Sequence, residues 1–233
     1  MNKIAFSVDV DWVKEELIDY TLSLFSEYNI KVTLFCTHES PLCKSLERDS
    51  RCEISIHPNF NSVLSGKFSS VDKILDDLLD MYPLSKGVRS HSLLSSTNLL
   101  DKFCAKGFRY ESNIFMPYKR GLEVFKLWNN MYSIPLNWED NLHFFYRYPF
   151  DKPMIDITTD DMYVLDFHPI HVFLNTYSND HYLSFKEHYM DVSYLKENVN
   201  KKTPGVRDCL VNFLETIKRE KLKTYKMSEL IDL

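Results

Sequence analysis

Apolar and polar positions along this chain follow two alternating periods. IAFSVDV (4–10) is an apolar run with small polar interruptions, the pattern of a buried strand. It hands over to VKEELIDYTLSLFSEY (13–28), where Val13, Leu17, Tyr20, Leu24 and Tyr28 recur at helical spacing. KVTLFCT (31–37) predicts a second strand, followed by a short helix near 41–48. EISIH (53–57) predicts a third strand, and 70–82 an amphipathic helix. GVRSH (87–91) reads as strand four, 96–106 as a helix and FRYES (108–112) as strand five. Residues 111–160 are aromatic and loop-rich, without a clean period. YVLDFH (163–168) returns as a buried strand, and a long helix over 206–221 precedes KTYK and a closing helical turn. Strands that alternate with helices predict a mainly parallel sheet with helices outside, an α/β layered or barrel fold. NVNKKTPG (198–205) is the strongest breaker segment and is too short to divide the chain, so 1–233 reads as a single domain.

Composition narrows the class. With 233 residues, 44% hydrophobic and 14% aromatic, the chain can build a substantial core and does not resemble a disordered one. Its formal charge of -5 and lack of a basic stripe point away from nucleic acid. No apolar run approaches the roughly 20 residues that span a bilayer. The first residues run directly into strand-like sequence without a leader, and the five cysteines are odd in number and scattered. That pattern fits reduced thiols, hence a cytoplasmic protein, and disfavours a cysteine-rich zinc site. Five glycines supply no phosphate-binding loop.

Candidate chemistry gathers where predicted strands end, the edge at which α/β folds place their sites. Asp9 and Asp11 close the first strand on one face, since alternate strand residues point the same way. His57 closes the third strand, Arg89 and His91 the fourth, and His168 the YVLDFH strand. In HPNFN, Pro58 suits the first position of a helical turn, which would turn His57 and Asn61 the same way. Asp11, His57 and the Asn61 amide oxygen would then hold a divalent metal with a position open to water; otherwise His57 simply ends a strand and bonds a loop. Arg89 offers a planar fork for a carboxylate such as Asp9, or a surface ion pair. His168, with Asp166 two residues before it and His171 three after, is a natural general acid or a core histidine satisfied by backbone.

Taken in order, these segments resemble the polysaccharide deacetylases, the NodB-homology group of carbohydrate esterases, over nearly the whole chain. SVDVD resembles the family's first motif, which implies Asp9 as general base and Asp11 as metal ligand. HPNF matches a motif that carries two metal-binding histidines; here Asn61 replaces the second, and His91 is the other residue able to complete the set. RSHSL supplies the arginine that buttresses the base, Arg89. Trp138 and Asp140 of WEDN take the places of a pocket wall, and Tyr118 of NIFMPY is expected from its aromatic type to stack on a sugar. His168 of DFHPIH takes that of the catalytic acid, polarised by Asp166. The resemblance implies a distorted (β/α) barrel of about seven mainly parallel strands with outer helices. It also implies a divalent ion, zinc by preference, and an N-acetylated sugar of a surface polysaccharide or lipopolysaccharide pathway as substrate. Two alternatives stand beside it: hydrolysis of another linear C–N bond such as a sugar formamide, and an inactive relative that binds glycan or a partner.

Overall fold

A computed structural model describes residues 2–66, 70–152 and 154–233. The strands are β1 (Lys3–Asp9), β2 (Val32–Cys36), β3 (Cys52–Ile56), β4 (Gly87–Val88), β5 (Tyr110–Glu111), β6 (Phe125–Lys126), β7 (Tyr132–Ser133), β8 (Trp138–Glu139), β9 (Met162–Phe167) and β10 (Thr224–Tyr225). They form one sheet in the order β6-β7-β5-β4-β3-β2-β1-β9-β8, with β10 added beside β1. Every pairing is parallel except β6 with β7. The sheet curls into a half-barrel flanked by helices, in keeping with the α/β alternation of the sequence and with the distorted barrel that the family resemblance implied.

The helices include α1 (Glu15–Glu27), α2 (Pro41–Leu46), α3 (Asn61–Leu64), α4 (Val71–Met81), α5 (Thr97–Ala105), α6 (Asp140–Phe145), α7 (Pro169–Leu174), α8 (Asn179–Phe185), α9 (Val192–Glu197), α10 (Val206–Glu220) and α11 (Met227–Leu230). α1 buries Leu17, Ile18, Thr21 and Phe25 against the sheet, and Phe25 meets Phe6 edge-on at 5.5 Å between ring centres. The long α10 buries Leu210, Phe213, Leu214 and Ile217, a stripe at the spacing a helix needs to cover a neighbour.

Strand alternation sorts side chains between two cores. Ile4, Phe6 and Val8 of β1 join Leu165 and Phe167 of β9 in the layer beneath the helices. Ala5, Phe35, Tyr110 and Val164 face inward and pack on Tyr225, Met227 and Leu230. Those last residues plug one end of the half-barrel. The Met227 N–H donates to Thr33 Oγ1 at 2.9 Å and the Ser228 N–H to Glu53 Oε2 at 3.0 Å, so barrel side chains satisfy the free donors of α11. Tyr110 donates to Glu53 Oε1 at 2.7 Å beside them. Its ring lies so near Gly87 that a Cβ there would meet Tyr110 Cζ at 2.0 Å, which explains the glycine. The opposite end stays open and carries the polar residues.

Candidate active site

The open end is built by extending the parallel ladders past the strands. The His57 N–H donates to the Cys36 carbonyl at 2.8 Å, Arg89 N–H to Ile56 at 3.1 Å and Ser112 N–H to Val88 at 3.0 Å. Each polar residue is thereby fixed by the strand beside it. β4 ends at Val88, three residues before a 3₁₀ turn over His91–Leu93 begins, so Arg89 and His91 stand beyond the strand predicted to hold them. Backbone strain marks the same rim. Trp12 has φ 41°, Ser92 60° and Leu93 54°, left-handed conformations that cost roughly 1–2 kcal/mol each in non-glycine residues.

Three side chains meet at the centre. Asp11 Oδ1 lies 3.5 Å from His57 Nε2 and 3.2 Å from His91 Nδ1. These donors belong to one group within 4.8 Å. Asp11 Oδ1 and His57 Nδ1 are buried without a hydrogen-bond partner. Burial pushes the Asp11 carboxyl upward, but His91 and the charges of His57 and His168 prevail and hold it well below the usual carboxylate range. Burial pushes His57 down to about 4, leaving a neutral imidazole whose nitrogen is free to ligate. One carboxylate oxygen with two imidazole nitrogens is a donor set that divalent ions such as zinc accept.

Beside this centre stands an ion-paired group. Arg89, fully buried, donates from Nη1 to Asp9 Oδ1 at 2.9 Å, to Ser7 Oγ at 2.9 Å and to Asp166 Oδ1. Its Nε donates to the Ser112 carbonyl and its Nη2 to Ser112 Oγ, both at 3.1 Å, and the guanidinium rests 4.3 Å above the Phe35 ring. Burial raises the Asp9 carboxyl despite Arg89. Asp9, Asp166 and His168 also form a compact group of possible ligands, but the guanidinium against both acids already supplies the positive charge there.

His168 immediately precedes α7 and turns its Nε2 toward the centre, 3.8 Å from Asp11 Oδ2. Its backbone N–H donates to Asp140 Oδ2 at 2.7 Å, and its Nδ1 pairs with Asp140 Oδ1 at 2.7 Å. Burial disfavours the imidazolium, yet the Asp140 charge and hydrogen bond outweigh it and raise His168 well above the ordinary histidine value. Asp166, expected to polarise His168, lies 4.0 Å from Nδ1 and is taken by Arg89 and Ser7 instead.

The other expected residues are placed differently. No helical turn forms at Pro58: the segment 57–60 is irregular, and the Pro58 carbonyl accepts from the His91 N–H at 3.0 Å. Asn61 instead opens α3 and is exposed, while His91 reaches Asp11. Trp138 is only 1% exposed and packs on Phe167 with ring centres 4.8 Å apart, so it offers no open face to a sugar. Its indole N–H donates to His143 Nδ1 at 3.2 Å. Tyr118 is half-buried and pairs its hydroxyl with the same nitrogen at 2.9 Å. The aromatic at the rim is Trp12, 40% exposed, edge-on to His91 with ring centres 5.1 Å apart. The sequence pattern does not single out Trp12, nor Ser7 or Tyr189, whose hydroxyl donates to the Asp11 carbonyl from 178 residues away. Trp12 adjoins Asp11 and lay within reach of inspection; nothing local marks Tyr189.

A family model of WbmS-like polysaccharide deacetylases matches residues 6–186. The chain belongs to that family. A crystal structure from Bordetella bronchiseptica, described as a polysaccharide deacetylase involved in O-antigen biosynthesis (WbmS), shares 33% identity with a TM-score of 0.85, covering 91% of this chain and 90% of that one. More distant deacetylases share the fold. The Bc1960 peptidoglycan N-acetylglucosamine deacetylase aligns at 12% identity and TM-score 0.55 over 98% of this chain and 87% of its own. So does a 4-alpha-glucanotransferase from Thermococcus litoralis, at 14% identity and TM-score 0.55 over 99% of this chain and 40% of that one. No curated protein matches the chain. Among the described residues, no helix is long and apolar enough to cross a membrane.

Proposed function

We propose that this WbmS-like deacetylase is a metal-dependent hydrolase that removes the acetyl group from an N-acetylated sugar of a cell-surface glycan or its precursor. The observation that carries the reading is the convergence of Asp11, His57 and His91 between an Arg89-held acid and an Asp140-held histidine. Asp11, His57 and His91 are the residues that would hold the ion, with the exposed Asn61 outside the set. When bound, a divalent cation, zinc by preference for this donor set, supplies Lewis acidity that acidifies water and polarises a carbonyl.

The chain's own groups do the rest. Asp9, anchored through Oδ1 by Arg89, turns Oδ2 toward the centre, 3.5 Å from His57 Nε2, where it would take the proton of the attacking water; burial raises its pKa, which makes it a stronger base than an exposed carboxylate. His168, held at Nδ1 by Asp140, presents a proton on Nε2 for the departing amine. Asp140 stabilises the imidazolium and fixes its ring. Trp12 offers an apolar face at the rim for a sugar. The O-antigen role described for the Bordetella relative supports a surface-glycan substrate. Five unpaired cysteines support work on precursors in a reducing compartment, the cytoplasm.

The test has two parts. Purified protein is analysed for bound metal, with His91→Ala expected to lose it and Asn61→Ala to retain it. It is then offered N-acetylated nucleotide sugars, lipid-linked sugars and oligosaccharides, with acetate and formate both assayed. Metal-loaded protein that releases acetate from none of them overturns the reading.

A further inference from the structure

Glu139 has no part in the chemistry above, although it ends β8 beside the residues that do. In the β8–β9 register it lies opposite Asp166, and in the β9–β1 register Asp166 lies opposite Ser7. Residues paired across parallel strands point to the same face. All three therefore face the inside of the half-barrel, where Ser7 and Asp166 meet Arg89. Glu139 is 8% exposed, and its Oε2 is buried without a hydrogen-bond partner. Asp166 is in the same condition on one side: Oδ1 accepts from Ser7 and Arg89, while Oδ2 is buried and unpartnered. The nearby His168 Nδ1 is committed to Asp140. Two ionised carboxylates on adjoining strands, each with an orphaned oxygen, would be penalised by both desolvation and mutual repulsion. One proton between them removes both penalties.

We propose that Glu139 and Asp166 share a single proton at neutral pH, and that neutral Glu139 is a positioning residue for the Arg89–His168 machinery. The proton keeps Asp166 a single anion directed at Arg89, which stays aligned on Asp9. It also keeps an additional negative charge away from His168. The surroundings favour this state. Burial, then the charges of Asp166, Asp9 and Asp140, raise Glu139 to about 8, opposed chiefly by His168. Arg89 completes the charged groups that face it. Above that pH Glu139 gives its proton to solvent, and its new charge makes His168 hold its own proton more tightly and donate it less readily.

The shared proton does not depend on the deacetylase reading; only its effect on turnover does. The full chain is examined by infrared difference spectroscopy between pH 6 and 10. A protonated-carboxyl band at pH 7 is expected, lost as the pH rises through about 8 and absent from Glu139→Gln. In Asp166→Asn the transition should move to lower pH, because the neighbouring anion is gone. Absence of the band, its persistence in Glu139→Gln, or an unmoved transition in a folded Asp166→Asn each overturns the proposal. In turnover, Glu139→Gln keeps an N–H donor for Asp166 and cannot ionise, so kcat should hold at neutral pH while its alkaline limb shifts upward with KM unchanged. Glu139→Leu, which donates nothing, should lower kcat about 10- to 100-fold. An alkaline limb that Glu139→Gln leaves in place overturns the positioning role. Should no substrate turn over, the infrared arm still decides whether the proton is shared.

Discussion

The two faces of the same strands have opposite characters. On β1, Ile4, Phe6 and Val8 enter the apolar layer under the helices, while Ser7 and Asp9, alternating with them, face a buried polar group. On β9, Tyr163, Leu165 and Phe167 point outward and Asp166 points in. Both faces are nearly sealed from water, yet one is held by contact area and the other by matched charge. Burial stabilises an apolar side chain but destabilises an unpaired charge. The outer layer should therefore tolerate volume-conserving changes, and the inner face should not tolerate loss of a partner.

The largest effect that distinguishes them is expected at Arg89. Arg89→Met strands Asp9 and Asp166 as buried acids and should cost about 3–5 kcal/mol of unfolding free energy as well as activity, measured by urea denaturation; a loss under about 1 kcal/mol would mean these acids simply take up protons. Asp9→Asn is the complementary case. It should lower kcat/KM by about 10² to 10⁴ while the chain stays folded, a split read from kinetics beside circular dichroism. Leu165→Ala tests the outer layer: about 2–5 kcal/mol lost through cavity formation, with metal content and the pH profile unchanged. A changed pH profile there would show the two faces to be coupled.

The smallest effect concerns His171, buried and edge-on to the rings of Phe144 and Tyr182. Burial depresses it to about 4. A histidine whose folded pKa lies below its unfolded value contributes stability that is present above about 6.5 and lost as pH falls toward 4. The unfolded chain takes up that proton first. The loss should reach up to about 3 kcal/mol over this window. It should shrink in His171→Phe, compared by urea midpoints at pH 7 and 4.5.

Much of the site was legible because of strand geometry. A parallel sheet delivers its carboxyl ends to one edge, so polar residues that close separate apolar runs must meet there. Asp9, Asp11, His57, Arg89, His91 and His168 all followed from that argument. Partner choice among them did not. Asp140 rather than Asp166 holds His168, because Asp166 sits in register with Ser7 and under Arg89 while Asp140 starts α6 beside the imidazole. Trp138 looked like a pocket wall, but strand pairing with Leu165 turns it into the helix-side core. Asn61 matched a ligand spacing that holds only if a helical turn begins at Pro58, and the chain does not make one there.

The amino-acid order alone determined the alternation of strand and helix, the two faces of each strand and the edge where the chemistry gathers, since all three are properties of short segments and their periods. Only the tertiary structure decided which acid meets which base, which aromatic stays open and which carboxyl must keep its proton. Those outcomes depend on register between strands distant in sequence and on burial that no single segment carries, and electrostatic energies in a dry interior change steeply over an ångström or two.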